Sequence, residues 1–242
     1  MASETLTHQV TAALRCVDGN SGRTIASAQI SASGIQFVRN RSGDFVLVDS
    51  PNVPQLIVVA DDRAGEYLPR RYMLTLPRDP NPANAATANS LFQAAQVVMY
   101  PTATSPVTSG WAIVRVTVVN ATTNAPLPGA LVRLVQTDGN RLLARGVSDW
   151  RGRAIGEALI AAPNVPAITF GPANGGDDGA VLVDTIAASV EAFFDPQAII
   201  SDAHPPDPDD LEQRRAQLPT AAVAVIISAG KSVAVKIGVT LP

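Results

Sequence analysis

The chain has 242 residues, of which 46% are hydrophobic and 16% are charged, and its formal net charge is −3. A chain of this composition can bury a core and is not disordered. Its 18 basic residues do not exceed its 21 acidic residues, so we expect no nucleic-acid partner. One cysteine and two histidines exclude an intramolecular disulfide and a four-ligand Cys/His zinc site, and we expect no cofactor.

The start of the chain shows no targeting signal. Residues 1–9 are polar, without a basic start or an apolar run, so we expect no secretory signal and synthesis in the cytoplasm. The longest apolar run, residues 221–227, is far shorter than the roughly 20 residues of a membrane-spanning helix, so we expect no membrane insertion. The preference for Arg over Lys and the many alanines indicate a GC-rich bacterial genome.

A repeat of supersecondary size divides the chain. Residues 17–30 align without a gap with residues 119–132, and both segments are predicted as strand, polar turn and strand. Further matching segments follow in the same order: residues 41–45 and 150–154, 51–54 and 163–166, 79–80 and 195–196, and 94–98 and 221–225. We therefore predict two tandem units, residues 1–104 and 105–242, with the linker at residues 101–110.

The apolar residues of both units alternate along short segments that Gly, Pro, Asn and Asp interrupt, which is typical of half-buried strands. In chain order these segments include residues 10–16, 45–47, 57–59, 113–118 and 233–239. Residues 207–218 have a helical pattern instead, with Asp209 as the expected N-cap and Glu212 as its capping-box partner. In the first unit a loop at residues 81–89 takes the place of this helix. The sequence predicts an all-β protein of two antiparallel sandwiches with one short surface helix near residues 208–218.

Two turn motifs resemble a known family. Residues 120–133 and Ser148-Asp149-Trp150-Arg151-Gly152 resemble the turns of carboxypeptidase regulatory-like, transthyretin-like and Cna-B-like domains, and residues 18–30 and 40–43 do so in degenerate form. The resemblance covers about half of the chain and implies tandem Ig-like or transthyretin-like sandwiches. Such domains serve as spacers, adhesins, docking modules and enzyme appendages, so the resemblance implies a fold rather than a function.

The motif residues have folding roles. Gly129 leaves room for close backbone approach, and Gly43 and Gly152 lie where tight turns need a positive φ. Some Cna-B-like domains join their first and last strands by an isopeptide bond from Lys to Asn or Asp. The two lysines of this chain, Lys231 and Lys236, are both near its C-terminus, so we expect no such cross-link.

Candidates for nucleophilic catalysis are few. The bases of suitable pKa are His8, in the terminal segment, and His204, in a Pro-rich loop, and neither has a Ser or Cys motif around it. Cys16 alternates with Leu14 on a predicted strand, so we expect it to be buried rather than reactive. We predict no catalytic residues and no enzymatic activity.

Two acidic clusters are weak candidates for a calcium site. The first contains Asp177 and Asp178, and the second contains Asp207 and Asp209 among prolines. Neither has the ligand spacing of an EF-hand loop. A hairpin tip and a helix N-terminus, where carboxylates complement the helix dipole, also explain them, so we predict no metal site.

Arginines next to aromatic residues are candidates for a protein interface. Arg70 and Arg71 precede Tyr72, and Trp111 opens the second unit. Arg and aromatic side chains are enriched in interfaces. The alternative interpretation is an aromatic lid over each sandwich core.

The last strand, residues 232–241, is a second interface candidate. Its apolar row includes Val233, Val235 and Ile237, and its pattern resembles the opening strand of the second unit, as if a third unit began here. Such a strand must pair within its own chain or on the sheet edge of a partner.

These observations predict a non-enzymatic structural or docking component of a larger protein assembly. A phage-tail-like or injection-apparatus accessory protein is one example, which would place the chain in an exported or phage-like particle. Its partner would be another protein or a second copy. A carbohydrate- or calcium-binding module and an enzyme accessory domain are the alternatives.

Overall fold

The structure is a computed structural model that describes residues 9–49, 53–163, 165, 169–170, 181–182 and 185–242. The chain divides into two compact units. The first comprises Met1–Asp18, Gly22–Ala64 and Pro69–Met99, and the second comprises Gly19–Ser21, Gly65–Leu68 and Tyr100–Pro242. Each unit is a sandwich of two sheets whose strands alternate buried and exposed side chains.

The first unit contains the strands β1 (Val10–Asp18), β2 (Ala28–Ser31), β3 (Phe37–Arg39), β4 (Phe45–Val48), β5 (Gln55–Asp62), β6 (Arg70–Thr75) and β7 (Ala95–Met99). They form a sheet of order β3-β4-β1-β7 and a sheet of order β2-β5-β6. β1 lies antiparallel to β4 and parallel to β7. β5 lies antiparallel to both β2 and β6.

The second unit contains β8 (Ala112–Asn120), β9 (Leu131–Gln136), β10 (Leu142–Val147), β11 (Glu157–Ala162), β12 (Thr169–Phe170), β13 (Val181–Leu182), β14 (Ile186–Phe193), the helix α1 (Pro208–Arg214), β15 (Thr220–Ile227) and β16 (Ser232–Val239). Its sheets have the orders β11-β8-β16 and β10-β9-β14-β15, and β12 pairs with β13. β8 lies antiparallel to β11 and parallel to β16. β14 lies antiparallel to β9 and β15.

The two units share this arrangement of their first and last strands, and the predicted all-β sandwich fold is confirmed. The gapless match of the two opening turns also has a structural counterpart. Asp18 N donates a hydrogen bond to Arg23 O at 2.8 Å, and at the aligned positions Asn120 N donates to Ala125 O at 2.8 Å. The same turn therefore connects the first two strands of each unit.

Two of the predicted segment matches are wrong. Residues 95–99 form β7, whose counterpart by parallel pairing is β16, whereas residues 221–225 lie in β15. Asp79 follows β6, but Asp195 follows β14, whose counterpart is β5 because both are the inner antiparallel strands of their sheets. Alternating apolar strands resemble one another, so the match slipped by one strand. β16 completes the second unit and does not begin a third.

The predicted helix exists, but its cap and its place in the repeat differ from expectation. Its N-cap is Asp207, whose side chain accepts a hydrogen bond from Asp209 N at 2.9 Å, and Pro208 occupies the first turn, where its missing N–H costs nothing. The helix lies between β14 and β15, whereas the loop at residues 81–89 lies between β6 and β7. The helix and that loop are therefore not equivalent.

The cores consist of the alternate apolar side chains. In the second unit, Val116 of β8, Val190 of β14 and Ile237 of β16 are each at most 1% exposed and belong to one cluster between the two sheets. In the first unit, Leu14 is fully buried and Cys16 is 1% exposed, as the alternation along β1 predicts. The first and last strands of the second unit, and the first strand of the first unit, therefore contribute buried side chains to the cores.

The family-like turn of the second unit is held by a buried serine. Ser148 Oγ accepts a hydrogen bond from Ala130 N at 2.8 Å and donates one to Leu127 O at 2.7 Å, so a side chain satisfies backbone groups of buried residues. Gly129 has a φ of 72°, and a Cβ there would lie 2.4 Å from Ile200 Cδ1. Gly129 therefore does allow a close approach, but the atoms nearest to the position of its missing Cβ belong to side chains and not, as expected, to the backbone.

Glycines with positive φ allow a matched test of turn strain. Gly43 and Gly152 have the positive φ expected of them, 86° and 57°. A Cβ on Gly152 would meet no atom within 4 Å, whereas Gly156, with a φ of 81°, would place a Cβ 2.7 Å from Pro126 Cβ and 3.0 Å from Val118 O. A side chain at Gly152 would therefore suffer backbone strain alone, whereas one at Gly156 would suffer backbone strain and steric overlap.

We predict that Gly152→Ala lowers the free energy of unfolding by about 1–2 kcal/mol, the cost of a left-handed conformation. Gly156→Ala should cost roughly 1–3 kcal/mol more, because overpacking is added. Urea unfolding of both variants measures the difference. Equal losses would show that the overlap at Gly156 is relieved without cost.

A second prediction concerns β16. Ile237 is fully buried, whereas Lys236 on the same strand is exposed. We expect Ile237→Ala to destabilise the second unit by about 2–5 kcal/mol. The control Lys236→Ala should change stability by no more than about 0.5 kcal/mol. Hydrogen exchange should show the loss in β8 and β16 first, and unchanged protection in Ile237→Ala would contradict the core role of β16.

Candidate interaction surfaces

The candidate arginines and the tyrosine on β6 face in different directions. Arg70 is 4% exposed and its Nη1 donates a hydrogen bond to Val98 O at 2.6 Å, so it supports the fold. Tyr72 is half-buried, and Arg71 between them is exposed. Successive side chains of a strand point to opposite faces, and of these three residues Arg71 is the exposed one.

Arg71 lies next to an exposed apolar pair on the outer face of the sheet β2-β5-β6. Ile57 of β5 and Met73 of β6 are direct cross-strand partners and are 46% and 56% exposed. Val59, half-buried, is the cross-strand partner of Arg71. We call Ile57, Val59, Arg71 and Met73 the outer patch. The sequence predicted Arg71 as an interface candidate but missed the two apolar residues, because strand alternation shows which face a residue lies on but not whether that face is covered.

The corresponding sheet face of the second unit is covered in part by the chain itself. Leu211 of α1 is 4% exposed and packs with Leu131 of β9 and Phe193 of β14. Two ion pairs join α1 to the sheet: Arg133 Nε to Glu212 Oε2 at 3.2 Å, and Arg145 Nη2 to Asp209 Oδ1 at 2.9 Å. In the second unit, therefore, this sheet face binds a segment of α1 in which carboxylates flank a leucine. In the first unit the short connection between β5 and β6 contains no helix.

The remaining interface candidates are less accessible. Val235 is 8% exposed and Ile237 is fully buried, so both belong to the core rather than to an open surface. Val233 on the same strand is half-buried, and so is Trp111, whose carbonyl oxygen accepts a hydrogen bond from Gly230 N at 3.0 Å. The register of β16 with β8 sets Val235 beside Val116 and Ile237 beside Val118, and both β8 residues are buried, so the apolar row of the last strand faces the core.

The acidic residues near α1 have protein partners. Asp207 caps the helix, and Asp209 pairs with Arg145. Asp202 Oδ1 accepts a hydrogen bond from Trp150 Nε1 at 3.0 Å. Asp177 and Asp178 lie outside the described residues. Within the described part of the chain, His, Cys, Asp and Glu side chains form no group of three that could hold a metal ion.

The catalytic candidates do not form a constellation in the described structure. His204 is exposed in the loop before α1, and His8 lies outside the described residues. The Cys16 thiol is buried, and burial raises its pKa to about 12, which disfavours the nucleophilic thiolate.

Buried charge in the first unit serves the fold. Arg78 is 7% exposed, and its Nη2 donates to the carbonyl oxygens of Ala88, Ser90 and Gln93 at 2.7, 3.0 and 3.1 Å. Burial lowers the pKa of Arg78, and the carbonyl oxygens stabilise the charged guanidinium by accepting its hydrogen bonds. Arg78 thereby anchors the connection before β7. Nothing in the local sequence indicated this role, because the accepting groups are backbone atoms.

An open groove of about 710 Å³ lies in the first unit. Ile35, Val38, Val48 and Asp49 are among the residues that line it. Among its described lining residues none is aromatic, so the ring stacking typical of carbohydrate sites is not provided there. In the described part of the chain, no helix has the length and apolar character to span a membrane.

No protein-family model matches the chain, and a search of curated proteins found no match. Among solved structures, the minor pilin GBS52 of Streptococcus agalactiae has 12% identity over 85% of this chain and 68% of that chain, with a TM-score of 0.30. The shaft pilin SpaA of Lactobacillus rhamnosus GG has 13% identity over 98% of this chain and 100% of that chain, with a TM-score of 0.24. The Bacillus anthracis TIE protein has 9% identity over 99% of this chain and 41% of that chain, with a TM-score of 0.28. Scores this low do not establish a relationship or a role.

The burial of Cys16 leads to a prediction about reactivity. With its pKa raised to about 12, the thiol should stay protonated and should not react with an aromatic disulfide reagent at mildly alkaline pH in the native protein. One thiol should react after denaturation in urea. Rapid labelling of the native protein would show that β1 opens readily or that Cys16 is accessible.

Proposed function

We propose that the chain is a non-enzymatic structural or docking component of a larger protein assembly, and that it binds a protein partner through the outer patch. The observation that carries the proposal is the exposed Ile57 and Met73 pair, 46% and 56% exposed, on neighbouring strands of an ordered sheet. Single exposed apolar residues are common, but a contiguous pair beside an exposed arginine has the composition of an interface.

The second unit supports this proposal by example. There the same sheet face packs against a helix through Leu211, and carboxylates of the helix pair with arginines of the sheet. Leu211 packs at Leu131 and Phe193, which are not the positions equivalent to the outer patch, so the example concerns the kind of contact and not its place. The partner that we propose supplies an apolar side chain to Ile57 and Met73 and a carboxylate to Arg71. The apolar contact provides most of the affinity, and the charge pair at its rim orients the partner.

The tandem arrangement suits a connecting part of an assembly. Each of the two sandwich units can carry a binding surface of its own, and the resemblance to carboxypeptidase regulatory-like, transthyretin-like and Cna-B-like domains supports a spacer or docking role. A phage-tail-like or injection-apparatus particle is the setting that we propose as an example. The second class, a carbohydrate- or calcium-binding module, has no comparable observation in its favour among the described residues.

The test is a double substitution in the outer patch, Ile57→Asp with Met73→Asp. Both side chains are exposed, so the variant should fold, and thermal unfolding checks this. The matched control is Val38→Asp, because Val38 is 58% exposed on β3 in the other sheet of the same unit. Proteins captured from the source cells by the native chain are identified, and the affinity of each purified candidate is then measured by calorimetry.

We expect the double variant to raise the Kd for the purified partner at least about tenfold, which corresponds to roughly 1.4 kcal/mol. Val38→Asp should leave the Kd unchanged. A partner that binds the double variant as tightly as the native chain would exclude the outer patch as the docking surface. An equal loss in both variants would indicate a general effect of added charge.

A further inference from the structure

The strand β15 is an edge of the sheet β10-β9-β14-β15, and in the described part of the chain it pairs with β14 alone. The outer edge of such a strand presents N–H and C=O groups that can pair with another strand. Proteins usually block long edges with charged side chains, proline, or a bulge that twists the strand away. β15 has eight residues, Thr-Ala-Ala-Val-Ala-Val-Ile-Ile, with none of these devices, and its register with β14 is regular throughout.

The other long edge strands of the described sheets are protected. Each edge strand of six residues or more, apart from β15, carries at least one charged residue: Arg70 and Arg71 in β6, Arg145 in β10, Glu157 in β11 and Lys236 in β16. β10 contains a register irregularity as well. The uncharged edge strands β2 and β7 have four and five residues, too short to offer a long template. β15 alone among these edges combines length with an unprotected apolar sequence.

The inner side of β15 is also incompletely covered. Val223 and Val225 point toward the core but are only half-buried, whereas Val190 on the neighbouring strand β14 is fully buried. On the outer side, Ile226 is 67% exposed. An added strand would therefore bury apolar surface on both faces of the sheet as well as satisfy the edge hydrogen bonds.

We infer that β15 pairs with β15 of a second copy of this chain, antiparallel about a two-fold axis, so that two four-stranded sheets become one continuous sheet. The strand suits its own copy because it is uncharged, so no like charges oppose each other across the axis. Antiparallel pairing places Ala222, Ala224 and Ile226 of both copies on one face, and the inward valines of both copies on the other. Two-fold pairing uses the same edge twice and leaves neither strand exposed.

This inference extends the assembly role proposed above to self-association, but it concerns another surface and can fail independently of it. The first test measures molecular mass by light scattering on the full chain over a series of concentrations. The native chain should be a dimer, and Ala224→Lys, an exposed position on the outer side of β15, should raise the dimer Kd at least about tenfold. Thermal unfolding at a concentration where both are monomers verifies that the variant folds.

Two controls assign the effect to this edge. Ala234→Lys makes the same change at an exposed position of the neighbouring edge strand β16 and should leave the dimer intact. The outer-patch variant with Ile57→Asp and Met73→Asp should also remain dimeric, which separates this inference from the proposed docking surface. A native chain that stays monomeric, or a dimer that Ala224→Lys does not weaken, would overturn the inference.

Disulfide trapping supplies a geometric test. Because the native Cys16 is buried, single cysteines placed at exposed positions report on the interface without interference from it. In separate variants, Ala222→Cys, Ala224→Cys and Ile226→Cys are oxidised mildly, and cross-linking should be confined to the position closest to the two-fold axis. Two residues further along, the Cα atoms of the same residue in the two antiparallel copies are about 13 Å apart, beyond the roughly 7 Å that a disulfide spans. Ala234→Cys is the control. Cross-linking at Ala234 equal to that on β15 would contradict the predicted pairing.

Discussion

In each unit the opening strand lies between an antiparallel neighbour and the last strand of the same unit, which runs parallel to it. A parallel pair cannot be closed by a tight turn, so the chain must build the rest of the sandwich before the last strand returns. The remaining strands of the unit therefore form between these two in the sequence. The buried rows of β8 and β16 lie on the same side of their sheet, so this closure also completes the core.

The connection that follows the inner strand of the second sheet differs between the two units. In the second unit a long connection between β14 and β15 carries α1, and Leu211 packs on the sheet while Glu212 and Asp209 pair with arginines. In the first unit the equivalent connection between β5 and β6 is short, and Ile57 and Met73 stay exposed. The helix covers the outer face of the second unit at Leu131 and Phe193. The positions equivalent to Ile57 and Met73 are Ser189 and Ala224, of which Ala224 is exposed, so the two units differ there in the size of their side chains.

Edges and faces present different chemistry on these sandwiches. A face offers side chains, so its specificity depends on residues such as Arg71 and Met73. An edge offers backbone hydrogen bonds to any strand, so its selectivity depends on residues that block unwanted pairing. β15 contains no charged residue that would do so. Among the described residues, the outer patch of the first unit is an example of such a face, and β15 of the second unit is an example of such an edge.

The amino-acid pattern by itself determined the all-β class, the opening turn of each unit and the positive φ of Gly43 and Gly152, because these depend on local alternation and on backbone sterics. It also determined that Cys16 is buried. It did not determine which strands are equivalent between the units, because β7, β15 and β16 have similar apolar alternation and differ only in their pairing. The exposure of Ile57 and Met73, the inward direction of Arg70, and the carbonyl partners of Arg78 were decided by the tertiary structure. Each depends on what a distant segment covers or supplies, and that information lies in the packing of the strands and not in any local run of residues.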